Sequence, residues 1–190
     1  VLLSGMAPTY YNAASATDDA LGVYGVKDVR NEIEVTYPGT GPVLTDAEMQ
    51  SRIHTSLLSD PDIDSSYITV KVLNGVVTLE GSVSALWKKF HAENIASKEP
   101  GVIDIRNDLT IVPTKTIADR DIAENIEASL KRKRVVNEQD VDVRVEDGVV
   151  SLTGTLPSPI ACQAIKETAR YTPGVTQVVV TARDDAGNAG

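Results

Sequence analysis

The sequence has one cysteine, few aromatic residues and no long apolar run. Its single cysteine, Cys162, excludes an intrachain disulfide and any site held by several cysteines. Aromatic residues make up 4% of the chain. No run reaches the roughly 18 apolar residues that favour a membrane-spanning helix, so we expect no transmembrane segment. No signal peptide is visible, but a mature or trimmed chain would also lack one, and one cysteine fits a reducing compartment as well as an envelope protein.

Positive charge is also scarce. The chain has 18 Lys and Arg residues against 27 Asp and Glu residues, which gives a formal net charge of -9 at pH 7. Nucleic-acid binding depends on a basic surface that neutralises phosphates, so we expect no nucleic-acid partner. The deficit of positive charge differs along the chain. Residues 46–113 hold ten acidic and six basic residues, whereas residues 118–183 hold ten acidic and nine basic residues and are nearly neutral.

Sequence motifs of catalysis and metal binding are missing. The chain has no glycine-rich phosphate loop, no G-x-S-x-G motif and no nucleophile with a matched base. His54 and His91 belong to different predicted elements, without a cysteine or an H-E-x-x-H spacing beside either. The segment Asp60-Pro-Asp-Ile-Asp64 lacks the glycine and the distant glutamate of an EF-hand loop, so we interpret it as a turn. We therefore expect no enzyme, no catalytic residue, no metal site and no cofactor.

One segment of the sequence is repeated. Ile68-Thr-Val-Lys-Val-Leu-Asn-Gly-Val-Val-Thr-Leu-Glu-Gly81 returns as Val141-Asp-Val-Arg-Val-Glu-Asp-Gly-Val-Val-Ser-Leu-Thr-Gly154. Each copy is an alternating stretch, an Asn-Gly or Asp-Gly dipeptide and a second alternating stretch, which predicts a β-hairpin with a two-residue turn. In the first copy this turn pairs Val72 with Val77 and Val70 with Leu79. Those four apolar residues then share the core face of the hairpin.

The repeat extends well beyond the hairpins. A shift of 73 residues superposes Ile53 on Ile126 and Pro100 on Pro173 without a gap, and a shift of 76 residues superposes Gly5 on Gly81. The chain therefore contains the back half of one module and two whole modules. We assign a half-module to residues 1–37, a linker to 38–45, a middle module to 46–113, a last module to 114–183 and a tail to 184–190.

Within a module the pattern reads helix, strand, strand, helix, strand. The middle module begins with a capping-box spacing, Thr45 to Glu48, followed by Met49, Ile53 and Leu57 on one helical face. A second helix over residues 84–98 and a strand over 102–112 complete it. The expected fold is α+β: tandem two-layer α/β sandwiches, each with a three-stranded sheet and two helices on one face.

These residues resemble the BON domain family, named for bacterial OsmY and nodulation proteins. The resemblance rests on the hairpin motif at Val70 to Gly81, on Pro100-Gly-Val102 and on Ile105-Arg-Asn-Asp-Leu-Thr-Ile111. The last module departs from it where Val180 and Ala182 replace the asparagine and the leucine. The resemblance implies an OsmY-like, non-enzymatic module of the periplasm or cell envelope that is linked to osmotic stress and binds phospholipid surfaces or envelope proteins. Such modules also occur in cytoplasmic proteins.

Two groups of residues are candidate binding sites. The basic cluster, Lys131, Arg132, Lys133 and Arg134, ends the first helix of the last module, where it could dock on anionic lipid headgroups or simply complement the helix dipole in solvent. The aromatic-lysine group is Trp87, Lys88, Lys89 and Phe90 on the second helix of the middle module. It suits a membrane interface or a protein contact, or alternatively packing between neighbouring modules.

The leading hypothesis is an envelope-associated binding protein without enzymatic activity, whose partner is an anionic phospholipid surface or an envelope protein. The alternative is a structural protein whose modules self-associate into an oligomer or filament through the half-module. Its motive is the strand that begins at Val1, which lacks the hairpin partner of the other copies and so offers an edge for another strand.

Overall fold

The computed structural model describes residues 1–23, 25–26, 28–36, 44–133, 141–156 and 159–184. In the half-module, β1 (Leu2–Ala7), α1 (Tyr10–Leu21) and β2 (Arg30–Val35) follow one another. The middle module contains α2 (Asp46–Ser59), β3 (Ile68–Leu73), β4 (Val76–Val83), α3 (Leu86–Ser97) and β5 (Asp104–Ile111). The last module contains α4 (Asp119–Lys133), β6 (Val141–Glu146), β7 (Val149–Leu156), α5 (Pro159–Arg170) and β8 (Gln177–Asp184). The predicted order of elements is confirmed.

Both whole modules have the same sheet. In the order β3-β4-β5 the central β4 pairs antiparallel with β3 and parallel with β5, and β6-β7-β8 repeats this arrangement. Val70 lies opposite Leu79 and Val72 opposite Val77, as the Asn-Gly turn predicted. In the half-module, β1 pairs parallel with β2, which corresponds to the pairing of β4 with β5. The α+β fold with three-stranded sheets is therefore confirmed for both whole modules.

The core of the middle module lies between its sheet and its helices. Met49, Ile53 and Leu57 are buried on one face of α2, while Ala92 and Ala96 are buried on α3. The Thr45 hydroxyl accepts a hydrogen bond from the backbone N–H of Glu48, and the Glu48 carboxylate accepts one from the backbone N–H of Thr45. The backbone bond to the carboxylate, and a second bond that the Thr45 hydroxyl donates to it, lower the pKa of Glu48. The predicted capping box and the helical stripe that follows it are confirmed.

Two features at the ends of elements differ from the sequence expectation. The strand β5 begins at Asp104 rather than at residue 102. Ile103, predicted as part of the alternating strand, is 48% exposed, and its backbone N–H donates to the Gly75 carbonyl of the hairpin turn. The helix α3 begins at Leu86, which is buried, rather than at residue 84. Periodicity fails here because contacts from distant residues decide where an element ends.

The chain divides into two compact units, Val1–Ser84 with Lys88–Val112 and Ala85–Trp87 with Pro113–Gly190. Within the first unit, Tyr10 of the half-module packs against the core of the middle module. Burial raises the pKa of the Tyr10 hydroxyl, and the nearby carboxylates of Asp104 and Glu93 raise it further. The Lys98 ammonium lies 5.4 Å from the centre of the Tyr11 ring. The half-module is thus attached to the middle module by both tyrosines of α1.

Candidate functional site

An aspartate holds each hairpin turn. Asp46, the first residue of α2, accepts hydrogen bonds from the backbone N–H groups of Asn74 at 2.7 Å and Gly75 at 3.0 Å. Asp119 does the same in the last module with Asp147 at 2.8 Å and Gly148 at 2.9 Å. Both turns have positive φ at both central residues, as a two-residue hairpin of this type requires. The repeated aspartate therefore serves the fold.

The asparagine of the strand motif also has a structural role. The Asn107 amide donates to the Lys89 carbonyl at 2.8 Å and to the Glu93 carboxylate at 2.9 Å, which ties β5 to α3. Asn31 makes the equivalent bond to the Ala13 carbonyl, at 2.6 Å, in the half-module. Val180 occupies this place in the last module and provides no such donor.

We expect Asn107→Val to lower the free energy of unfolding of the middle module by about 1 to 3 kcal/mol, because two helix acceptors lose a part-buried donor. Urea denaturation followed by circular dichroism would measure the change. Asp108→Val is the matched control, since Asp108 is exposed on the same strand; we expect that variant to shift the free energy by less than about 0.5 kcal/mol. Equal losses in the two variants would contradict a structural role for Asn107.

The described part of the basic cluster lies on the last turn of α4. Lys131 and Arg132 are both exposed, and the Arg132 guanidinium donates to the Ser129 hydroxyl at 2.9 Å. The helix ends at Lys133, whose side chain lies outside the described residues, as does all of Arg134. Positive charge at this end complements the helix dipole and is also accessible to an anionic surface. The assignment of a binding role to this cluster stays a prediction.

The aromatic-lysine group is partly occupied by contacts within the fold. The Lys89 ammonium donates to the Leu109 carbonyl of β5 at 2.9 Å, so this side chain lies along the sheet. Trp87, Lys88 and Phe90 are half-buried. Within the second compact unit, the ring of Trp87 stacks on Tyr171 with the ring centres 6.4 Å apart. Binding by this group stays a prediction.

A further cluster, which the sequence gave no reason to expect, joins the end of α2 to α3. The Nε2 atom of His91 lies 2.9 Å from Oδ2 of Asp60, and the carboxylate of Asp62 is close to both. Partial burial acts to raise the pKa of Asp60, but hydrogen bonds from His91 and from the backbone of Asp62 and Ile63 outweigh it and lower the pKa. Asp60 and His91 are 31 residues apart. They meet because the segment that follows α2 lies beside α3 in the folded module.

No helix in the described part of the chain is long and apolar enough to cross a membrane. Cys162 is a free thiol and is half-buried on α5, where a cysteine packs as a small apolar residue.

The family assignment follows from the repeat and its fold. The BON domain matches residues 1–37, 45–113 and 118–182, so three segments together span most of the chain. The chain belongs to the BON domain family, as its motifs indicated. The three matched segments correspond to the half-module, the middle module and the last module, whose boundaries stay a prediction.

Among curated proteins, the chain is similar to "Osmotically-inducible protein Y" of Escherichia coli, with 34% identity over 112 residues, which are 57% of this chain and 56% of that protein. It is also similar to the "21 kDa hemolysin" of Actinobacillus pleuropneumoniae, with 34% identity over 85 residues, or 44% of each chain. The chain thus spans about half the length of the curated relatives it matches.

Among solved structures, the chain can be aligned with CdsD, a structural protein of the type III secretion system of Chlamydia trachomatis, at 12% identity. The alignment covers 96% of this chain and 79% of that one, with a TM-score of 0.31. Because the TM-score is low, this alignment supports no further conclusion about the chain.

Proposed function

We propose that the protein is a non-enzymatic, envelope-associated binding protein of the periplasm or cell surface, and that its last module attaches to anionic phospholipid. The observation that carries this proposal is the exposed cationic end of α4, where Lys131 and Arg132 lead into Lys133 and Arg134. Near an anionic membrane each basic residue contributes about 1 kcal/mol of attraction. Membership of the BON family and the similarity to "Osmotically-inducible protein Y" support an envelope role under osmotic stress.

The polar residues that repeat between the modules support binding rather than catalysis. Asp46 and Asp119 hold hairpin turns, and Asn31 and Asn107 join strands to helices. Since these residues maintain the modules, the specific chemistry of the protein belongs to surfaces on which the modules differ. The end of the first helix is such a surface, because Leu58-Ser-Asp-Pro61 in the middle module corresponds to Lys131-Arg-Lys-Arg134 in the last.

Vesicle flotation tests the lipid proposal. We expect the chain to float with vesicles that contain phosphatidylglycerol at low salt, and to remain behind with phosphatidylcholine alone or at high salt, because the attraction is electrostatic and screened. Substituting Gln at all four positions of the basic cluster should weaken binding about tenfold or more.

The matched control removes equal charge elsewhere. Lys71, Lys115, Arg120 and Arg144 are exposed and lie outside both candidate groups, and Gln at these four positions changes the net charge by the same amount. We expect this variant to retain most of its binding. Equal losses of binding in both variants would show that net charge alone, rather than the basic cluster, is responsible. The lipid proposal would be refuted if the unaltered chain failed to float with anionic vesicles at low salt.

A second candidate function is assembly. Within the described residues, β1 carries no strand on the edge that β3 and β6 occupy in the other sheets, and two of its own side chains, Leu2 and Met6, are exposed. An antiparallel strand from a second copy would pair with that edge and cover those side chains. Light scattering over a wide range of concentration tests this. Self-association would raise the apparent mass with concentration, whereas a constant monomer mass would exclude it.

A further inference from the structure

The end of α2 and the middle of α3 bring one imidazole and two carboxylates together. Nε2 of His91 and Oδ2 of Asp60 are 2.9 Å apart, and one ligand atom from each of Asp60, Asp62 and His91 lies within 4.8 Å of the other two. We propose that these three residues bind a divalent transition-metal ion such as Zn²⁺. This site belongs to the middle module alone and does not depend on the lipid proposal.

The distances suit coordination. Zinc lies about 2.0 to 2.2 Å from imidazole nitrogen and carboxylate oxygen, so two ligand atoms on one tetrahedral ion are about 3.3 to 3.6 Å apart. The His91 to Asp60 separation of 2.9 Å is shorter than this range, so the two side chains move slightly apart when the ion enters between them. The ion replaces the proton between the two groups, and the neutral imidazole coordinates through Nε2 while its own proton is on Nδ1. The exposed side chain of Asp62 moves inward to complete the set.

The ligand-bearing segments are held in place before any ion binds. The backbone N–H of Asp62 donates to Oδ1 of Asp60 at 3.0 Å, which orients that carboxylate with Oδ2 toward His91. Ile63 and Ala92, which follow Asp62 and His91 in sequence, are buried in the core of the middle module. Metal sites in proteins typically have such hydrogen bonds, which hold the ligand side chains in the orientation that coordination requires.

The donor set selects the class of ion. Imidazole nitrogen suits zinc, copper and nickel, whereas calcium requires six to eight oxygen ligands and finds only two carboxylates here. The side chains of His91 and Asp60 are 32% and 19% exposed, so an ion reaches them from solvent. Three protein ligands leave at least one coordination position for water.

The chain supplies two internal controls. A shift of 73 residues replaces Asp60, Asp62 and His91 with Lys133, Val135 and Ala164, so the equivalent positions of the last module carry no imidazole or carboxylate. The chain has two histidines in total, and the other, His54, is exposed on α2. His54 therefore reports any non-specific binding of metal to an exposed imidazole.

Nuclear magnetic resonance of the two imidazole rings during titration of the full chain with zinc chloride tests the proposal. We expect the His91 ring signals to change and saturate at one ion per chain, while those of His54 stay unchanged. Isothermal titration calorimetry should show that His91→Gln and Asp62→Asn each weaken zinc binding by about tenfold or more, and that His54→Gln does not. Calcium in about 100-fold excess should not displace zinc.

Three results would overturn the site: equal responses of both histidines, unchanged affinity in His91→Gln, or no saturation at millimolar zinc. Circular dichroism shows whether a variant is folded. If His91→Gln unfolds, Asp62→Asn decides the question, because Asp62 is exposed and its backbone hydrogen bond to Asp60 is preserved in that variant.

Discussion

Gly81→Ala is expected to lower the free energy of unfolding of the middle module by about 3 to 5 kcal/mol, enough to unfold a small domain. Gly81 has a φ of 118°, a backbone conformation that side chains disfavour. A Cβ atom at this position would also clash with the Tyr67 carbonyl oxygen just before β3. Because Gly81 pairs with Ile68, relief of that clash moves the first strand of the hairpin away from the second.

Gly5→Ala separates the two contributions. Gly5 occupies the same place in the half-module and has a φ of 141°, but within the described part of the chain no atom beyond its chain neighbours lies within 4 Å of an added Cβ. We expect only the conformational cost there, about 1 to 3 kcal/mol. Hydrogen exchange with mass spectrometry would measure protection separately in β1 and in the β3 to β4 hairpin. If both variants lose the same protection, the contact with Tyr67 has no energetic role.

Asp119→Ala should be the second most damaging change, lowering the free energy of unfolding of the last module by about 2 to 4 kcal/mol. The substitution removes both hydrogen bonds to the turn and leaves the buried Gly148 N–H without its carboxylate acceptor. Asp119→Asn keeps one acceptor oxygen and should lose about half as much. Urea denaturation together with hydrogen exchange of the β6 to β7 hairpin would measure both effects.

Asp121→Ala is the control for Asp119. Both residues lie in the first turn of α4 and interact with the positive end of the helix dipole, but Asp121 is exposed and Asp119 holds the turn. We expect less than about 1 kcal/mol for Asp121→Ala. Similar losses from the two substitutions would assign the effect to the helix dipole rather than to the turn.

The hairpins were predictable because each is encoded locally. Asn74-Gly75 and Asp147-Gly148 can adopt the positive φ values of a two-residue turn, and such a turn leaves the flanking strands one register. The stripe of Met49, Ile53 and Leu57 was predictable for the same reason, because helical periodicity places these residues on one face. The duplication of each signal after 73 residues then gave the order of elements in both whole modules.

Contacts between residues far apart in sequence were not predictable. Sequence alone could not show that Asp46 reaches a turn 28 residues away, or that Lys89 donates to the Leu109 carbonyl. The meeting of Asp60 with His91 depends on the relative placement of two helices, and neither residue has a counterpart of the same type in the last module. The repeat identifies the residues that the two whole modules have in common, whereas the candidate metal site consists of residues that only the middle module has.

The first helix of each whole module ends with opposite chemistry in the two copies, with acidic residues after α2 and basic residues at the end of α4. The residues that fix the fold lie elsewhere, in the buried stripe, the turn and the aspartate that holds it. Substitutions in this short terminus can therefore change its charge without altering the fold of the module. In a tandem array of such modules, the charge of this terminus can therefore differ from copy to copy while the fold stays the same.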